Sequence, residues 1–460
     1  MTELSPLDTG FMEMEDTDRH ISLGIGAVAV VAGPPPTREE FRAGVTRGLR
    51  QHGRLRQRVR RAPLDLTAPV WEDDPNFDLA HHIRWTALPD PGDETTLREL
   101  IATELTERLD RDHPLWEVVM VDNLAGNRWA MIVKAHHSMV DGISGITLFE
   151  SFCDPAREIP DTRAEEAGRQ PGSGVLEWAN RVARLPYTAP RFAVSAARAL
   201  APVLFSAVTP STASSLNGSI GRQRRYAVAR ASLTEVREIC AALDVTVNDV
   251  AVAALATAYR RLLLSRGEQP EAGMLRIVVP VSMRTADAKY ALDNRVSAMI
   301  AHLPIEIEDS IERLAAVHDR IARHRSRGEA EAEKSLLSLA DWLPFGMVAW
   351  IFRTVARFPQ RGVGALATNV PGPRRPLWLD GREVLEIWPC IPVALRVRTT
   401  VAILSYADRL TFGITGDYDT TPDIDILAAG VAAEIDALLD HARTRRPLQL
   451  VSNPGSPPDR

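Results

Sequence analysis

The sequence feature that most constrains the fold is a change of pattern around His136-His137-Ser138-Met139-Val140-Asp141-Gly142. Residues 129–135 are mostly apolar and partly β-branched, which is typical of a buried strand. After Gly142 the apolar residues recur at helical spacing, which predicts a helix with one apolar face. The two histidines therefore lie where a strand ends and a helix begins, a place that combines a rigid base with an exposed turn.

A histidine at such a turn is suited to general-base catalysis on an alcohol, because its unperturbed pKa lies close to neutral pH. Asp141 is placed to orient an imidazole or to hold the loop, and Gly142 permits a tight backbone with room for substrate. The alternatives are a structural histidine pair or half of a metal site. Adjacent strand residues point to opposite sides, and no H-E-x-x-H or C-x-x-C pattern is present, so we expect no metal.

The seven residues resemble the HHxxxDG signature of the CoA-dependent acyltransferase superfamily, which includes chloramphenicol acetyltransferase and the condensation domains of peptide synthetases. Further segments narrow the resemblance to the bacterial wax ester synthase/diacylglycerol acyltransferase family. In family order they are Leu4-Ser5-Pro6-Leu7-Asp8 with Phe11 and Glu15, His20-Ile21-Ser22, Pro114-Leu115-Trp116-Glu117, Asn248-Asp249, Pro280-Val281-Ser282-Met283-Arg284, Asn294-Arg295-Val296-Ser297 and Thr368-Asn369-Val370-Pro371-Gly372-Pro373, with Thr368 in place of the family's serine. The resemblance as a whole extends from about residue 3 to residue 440.

The resemblance implies an α/β fold of two chloramphenicol-acetyltransferase-like domains with the active-site channel between them. It implies transfer of a long-chain acyl group from acyl-CoA to diacylglycerol, a fatty alcohol or both, with His137 as the general base. Acyl-CoA is then a co-substrate, and no further cofactor is expected. The resemblance does not rank diacylglycerol against wax alcohols.

The resemblance also suggests roles for the remaining motif residues. His136 is expected to support the geometry of the site, and Asp141 to be a structural anchor. A buried carboxylate needs a cation, and Arg284 is our candidate partner. Candidates for stabilising the tetrahedral oxyanion are Asn294, Thr368 and Asn369.

Two other blocks have more than one interpretation, and a third has one. Asn248-Asp249 precedes an apolar helical run, so a role at a helix N-terminus competes with a role in the site. Pro371-Gly372-Pro373 is a turn by composition, while the resemblance implies a channel wall. Pro114, Leu115 and Trp116 are interpreted as packing around the mouth of the channel.

Length and composition predict the domain organisation. A chain of 460 residues exceeds one typical core, which favours two domains. Residues 154–174 are charged, bear Pro and Gly and are poor in large apolar residues, which predicts a linker between a domain over residues 1–153 and one over residues 175–445. Residues 446–460 are predicted to be a loose tail. The net charge of −6 and the absence of a basic block argue against a nucleic-acid partner.

Cellular location follows from weaker signals. Cys153, Cys240 and Cys390 show no pattern, which favours buried packing in a reducing cytoplasm over disulfides or a catalytic thiol. The N-terminal residues show no basic-then-apolar pattern, so we expect no signal peptide, and the sequence contains no run of 18 apolar residues. The apolar stretches 182–208 and 335–358 suit core packing, lipid contact or an acyl channel, and core packing is favoured over lipid contact. The lipid substrates that the resemblance implies lead us to expect peripheral attachment to membranes or lipid droplets from the cytoplasm.

Two alternative functions remain open from the sequence. One is an acyltransferase with another hydroxyl acceptor or a carrier-bound donor. The other is a non-catalytic protein that binds lipid or coats droplets, against which the intact His137 and Asp141 argue. A serine lipase is disfavoured because no G-x-S-x-G is present. The oligomeric state is not predicted.

Overall fold

The computed structural model describes residues 2–61, 68–154, 214–282, 296–326 and 362–445. In the first half of the chain the elements are β1 (Thr2–Glu3), α1 (Pro6–Thr17), β2 (Gly24–Ala32), α2 (Arg38–Gln51), β3 (Gln57–Arg60), β4 (Val70–Asp73), β5 (Ile83–Ala87), α3 (Glu94–Thr106), β6 (Trp116–Leu124), β7 (Arg128–His136) and α4 (Gly142–Phe152). Short 3-10 helices cover Gly53–Arg56 and Leu79–His81.

The second half continues the alternation of strands and helices. Its elements are β8 (Arg224–Ser232), α5 (Leu233–Leu243), α6 (Val247–Ser265), β9 (Arg276–Ser282), β10 (Val296–His302), α7 (Ser310–Ser326), β11 (Ala365–Pro371), β12 (Trp378–Leu379), β13 (Arg382–Cys390), β14 (Thr399–Tyr406), β15 (Arg409–Asp417) and α8 (Asp425–Arg445). The prediction of a mixed α/β fold is therefore confirmed.

The described strands form two six-stranded sheets and one three-stranded sheet. The first sheet has the order β12-β13-β2-β7-β6-β5, and the second has the order β10-β9-β11-β14-β15-β8. The small sheet is β1-β4-β3. Most neighbours are antiparallel, but β5 runs parallel to β6, and β11 runs parallel to both β9 and β14.

The second half of the chain contributes two strands to the first sheet. β12 and β13 come from the second half, and β13 pairs with β2 of the first sheet from Val384↔Val31 to Cys390↔Gly26. The sequence predicts one domain over residues 175–445, whereas the structure places 378–390 in the first sheet. Asp154 is anchored to this crossover, because its backbone N–H donates to the carbonyl of Trp378. The rest of the predicted linker and the predicted tail lie outside the described residues.

β7 is buried on both faces, so its side chains alternate between two cores. Trp129, Met131, Val133 and Ala135 pack into the core that contains α2 and α4. Ala130 and Ile132 pack into the core beneath α3. Fully burying such a side chain contributes about 1.5–3 kcal/mol to folding. The strand that carries the histidines is therefore held rigidly. The side chains of its last residues continue to alternate between the two faces of the sheet.

Several helices begin with side-chain caps that the sequence encodes locally. Thr246 and Asp249 form a reciprocal capping box at the start of α6. Among the residues that the structure describes, no single helix is long and apolar enough to cross a bilayer, although α5 and α6 together meet that test by length and composition as a pair bent by 102°.

Candidate active site

The end of β7 presents the two histidines to opposite sides of the first sheet. The backbone N–H of His136 donates to the carbonyl of Leu115, and that of His137 donates to the carbonyl of Leu23, each at 2.9 Å. His137 continues the alternating set of Val133 and Ala135, and all three line one cavity. His136 lies on the other face, where it is 1% exposed.

The ring of His136 is fixed by its neighbours. Its Nδ1 accepts a hydrogen bond from the backbone N–H of Ser138 at 3.1 Å and lies 2.7 Å from the Ser138 hydroxyl. An accepting Nδ1 places the ring proton on Nε2 in the neutral imidazole. Nε2 lies 3.6 Å from Oε2 of Glu15, a carboxylate that is itself 1% exposed. His136 is therefore held between two partners and away from the cavity.

The ring of His137 is stacked on Phe11, with the ring centroids 4.2 Å apart and the planes inclined by 19°. The pKa of His137 is lowered to about 4, mainly by burial and also by the neighbouring His136, while a hydrogen bond with its own backbone and the charge of Asp141 oppose the shift. At neutral pH the ring is thus uncharged. In a neutral imidazole one ring nitrogen carries the proton and the other keeps a lone pair that can accept a proton.

A cavity of about 250 Å³ lies between the two sheets with His137 in its wall. Its polar lining includes Asp141, Thr368 and Asn369 beside His137. The rest of the lining is mainly apolar. One side comes from β2, β7, β13, α4 and residues adjoining them, and the other side comes from β11 and β14. These lining residues are Ile25, Gly26, Ala27, Val133, Ala135, Val140, Gly142, Gly145, Ile146, Leu148, Phe149, Val370, Pro371, Pro389, Cys390, Ile391, Ala402, Ile403 and Leu404. The cavity therefore offers an apolar chain access to a neutral histidine.

Asp141 and Gly142 form the junction between the motif and α4. Asp141 is 2% exposed, and its Oδ1 accepts hydrogen bonds from the backbone N–H and the hydroxyl of Ser144, each at 2.8 Å. It thereby caps the helix. A Cβ at Gly142 would lie 2.7 Å from Cγ2 of Val370, so only glycine allows this close approach to β11. Arg284, the predicted partner of Asp141, lies outside the described residues.

The later motif blocks meet beside the cavity. Asn369 donates from Nδ2 to Oδ1 of Asn248 at 3.2 Å, which joins β11 to the start of α6. Asp249 faces the helix backbone and also lies 2.9 Å from Nδ1 of His318. Asp249 therefore caps a helix, whereas Asn248 contacts a residue of the cavity wall. Asn294 lies outside the described residues.

Pro114, Leu115 and Trp116 lie next to the motif strand but not in the described cavity wall. Trp116 is 1% exposed, donates from Nε1 to the carbonyl of Leu55 at 2.8 Å and stacks on His82. It belongs to the core, because its large apolar ring is packed between the sheet and neighbouring loops. The expected position at the channel mouth is not what the structure shows, although Leu115 supports His136 through its carbonyl.

The three cysteines are packing residues. Cys153 and Cys390 are buried, and Cys240 is half-buried. Burial raises the pKa of the Cys390 thiol to about 12 and that of Cys240 to about 11, so both are uncharged at neutral pH. A thiol in that state is a poor nucleophile.

Sequence analysis assigned no role to Phe11 or Glu15, yet both contact the histidine pair. A signal for this was present. The two residues are four apart in a helix that begins after the N-cap Ser5, so they lie on one helix face. The sequence does not show that this helix face packs against a motif about 120 residues further along the chain.

The chain is similar in sequence to one family of known proteins. The wax ester synthase/diacylglycerol acyltransferase catalytic domain matches residues 4–251, and the C-terminal domain of the same family matches residues 292–439. A probable diacylglycerol O-acyltransferase from Mycobacterium tuberculosis is 42% identical over 452 residues, covering 97% of each chain.

Solved structures are also similar to this chain. The wax ester synthase/diacylglycerol acyltransferase from Marinobacter aquaeolei VT8 is 26% identical with a TM-score of 0.68, covering 96% of this chain and 100% of that one. The starter condensation domain of rhizomide synthetase, in complex with C8-CoA and Leu-SNAC, is 14% identical with a TM-score of 0.57, covering 96% and 94%. The second likeness concerns the fold alone.

Proposed function

Because the chain belongs to the wax ester synthase/diacylglycerol acyltransferase family and is an acyl-CoA-dependent O-acyltransferase, we propose that His137 is its general base. The reaction moves a long-chain acyl group from acyl-CoA to diacylglycerol or a fatty alcohol. The observation that carries the proposal is the position of the neutral His137 ring in the wall of an apolar cavity. His136, with its ring fixed between Ser138 and Glu15, takes a supporting role.

The proposed chemistry is a direct transfer. Nε2 of His137 takes the proton of the acceptor hydroxyl as the oxygen attacks the thioester carbonyl. The tetrahedral intermediate then collapses, the C–S bond breaks, and the imidazolium returns the proton to the departing sulfur. The charge of Asp141 and the carbonyl of His137 favour the transient imidazolium, since both raise the pKa of the ring. The sequence of steps requires no covalent acyl-enzyme, metal or further cofactor.

The remaining cavity residues are assigned by position. The hydroxyl of Thr368 and the amide of Asn369 are the described candidates for donating to the oxyanion, and Asn248 holds that amide in place. The apolar walls suit the acyl chain of the donor or the hydrocarbon of the acceptor. The CoA moiety is polar and remains in water. Asp141 keeps the role of a structural anchor, with Arg284 as its proposed cationic partner.

The substrate assignment is tested with the purified protein, radiolabelled palmitoyl-CoA and a panel of acceptors. We expect labelled triacylglycerol with diacylglycerol, labelled wax ester with hexadecanol, or both, and a rate that depends on the hydroxyl acceptor. A short-chain alcohol is the control for the need for an apolar acceptor. If label reaches only an acceptor outside these two classes, or no acceptor at all, the assignment is contradicted.

We further propose that the protein works on the cytoplasmic side, attached peripherally to a membrane or to lipid droplets. The support is chemical, because both the acceptor and the product are apolar and partition into lipid. Flotation with phosphatidylcholine vesicles that contain diacylglycerol is expected to carry the protein into the lipid fraction. Alkaline carbonate should release it. Protein that stays in the dense fraction, or that resists both carbonate and high salt, argues against peripheral attachment.

A further inference from the structure

One face of α1 packs against the histidine motif through three side chains. Phe11 stacks on His137, the sulfur of Met12 accepts a hydrogen bond from the hydroxyl of Ser138 at 3.6 Å, and Oε2 of Glu15 faces Nε2 of His136 at 3.6 Å. In a helix, residues 11 and 15 lie one above the other, with residue 12 beside them. A single rigid element therefore touches three consecutive residues of the motif.

The two oxygens of Glu15 have different partners. Oε1 accepts the backbone N–H of Leu23 at 2.9 Å, and the carbonyl of Leu23 in turn accepts the backbone N–H of His137 at 2.9 Å. Oε2 faces the ring of His136 and accepts a hydrogen bond from Nη2 of Arg111 at 2.6 Å. One carboxylate is thus connected to the backbone of His137 and to the ring of His136.

We propose that Glu15 is a positioning residue for acyl transfer: its buried carboxylate fixes both histidines of the motif and so sets the position of the catalytic base. The inference rests on the proposed role of His137 and deepens it. Glu15 does not touch the cavity, so it acts through His136 and Leu23. Arg111 holds the carboxylate itself in place.

The partners of Glu15 explain why a carboxylate is needed. An ionised carboxylate only accepts hydrogen bonds. The groups that face the two oxygens of Glu15 in the described structure are the N–H groups of Leu23, Arg111 and His136. Burial alone would raise the pKa of Glu15, but the neighbouring His136 and the hydrogen bonds from Arg111 and Leu23 lower it to about 2. A glutamine would turn an N–H₂ group toward Arg111 or His136. Both of these also present N–H donors, so no hydrogen bond could form there.

The proposal is tested with Glu15→Gln in steady-state assays with palmitoyl-CoA and the acceptor that wild type prefers. We expect kcat to fall about 10- to 100-fold, since a misplacement of about 1 Å at a reacting group has effects of this size. The KM for acyl-CoA should be unchanged, because Glu15 lies outside the cavity that receives substrate. A purely structural role would lower only the amount of folded enzyme, so kcat is expressed per folded molecule and would then stay at the wild-type value.

Glu13→Gln is the matched control, because it makes the same chemical change on the same helix. Glu13 is also 1% exposed and forms an ion pair with Arg61 at 3.4 Å, whereas Glu15 faces a histidine. We expect it to lower the thermal unfolding temperature to a similar extent as Glu15→Gln while kcat stays near the wild-type value. Equal kcat values for the two variants overturn the proposal.

A second variant is available if Glu15→Gln does not fold. Arg111→Gln leaves the carboxylate in place but removes the group that orients Oε2, so kcat should fall at constant KM, and an unchanged kcat overturns the proposal. Different results would contradict the role of Glu15 and the proposed role of His137. Activity retained in His137→Ala removes the base itself, whereas a dead His137→Ala with a fully active Glu15→Gln removes only the role of Glu15.

Discussion

Replacing His137 with alanine is expected to reduce acyl transfer by about 10²- to 10⁴-fold, the usual contribution of a positioned general base. The protein should remain folded, because the side chain borders a cavity and His137 is less completely buried than His136. The measurement is the single-turnover rate of acyl transfer at saturating acyl-CoA, together with the thermal unfolding temperature. His441→Ala, on the exposed part of α8, is the control for loss of a histidine far from the cavity.

His136 provides the contrast that makes the assignment of the base specific. Its ring is buried against Glu15 and Ser138, so His136→Ala leaves a buried carboxylate without that partner and should destabilise the fold more than His137→Ala. Its effect on the rate per folded molecule should be the smaller of the two. A folded His137→Ala that keeps more than about a tenth of the wild-type rate excludes His137 as the base. A larger rate effect at His136 reverses the two roles.

The local part of this site was predictable from the sequence. The apolar run before the motif and the helical spacing after it correspond to β7 and α4, with the histidines at the junction between them. The competing interpretation of Asp249 as part of a helix N-terminus also agrees with the structure, since it caps α6. These features are encoded within about ten residues, where side-chain period and capping chemistry act directly.

The non-local part was not predictable. β13 pairs with β2 across more than 350 residues, and nothing in either strand specifies the other, because an apolar strand suits many partners. Trp116 shows the same limit, since a large aromatic residue suits a channel mouth and a core equally until its neighbours are known. The contact of Glu15 with His136 combines both limits. Its helix face is visible in the sequence, but what the face packs against is decided by the fold.

We expect the second large effect from substitution of Gly145, because a side chain at this position would fill part of the cavity without displacing its walls. Gly145 lies in α4 beside the cavity, and a Cβ there meets no heavy atom of the described residues within 4 Å. Gly145→Leu should therefore place its side chain in space that substrate otherwise occupies. Since glycine inside a helix costs about 0.5–1 kcal/mol relative to alanine, the free energy of unfolding should not decrease.

The expected result of Gly145→Leu is a fall of about 10-fold or more in kcat/KM with palmitoyl-CoA or a long-chain acceptor, since lost space for even one methylene in an apolar pocket changes rates by about 10- to 200-fold. Short-chain substrates should lose less, because they fill less of the cavity. Gly145→Ala is the matched control, which brings the same gain in helix propensity with only one added methyl group. Rates are compared over a series of acyl and alcohol chain lengths, and thermal unfolding is measured in parallel. A variant that is at least as stable as wild type and shows no dependence on chain length would place the substrate hydrocarbon outside this cavity.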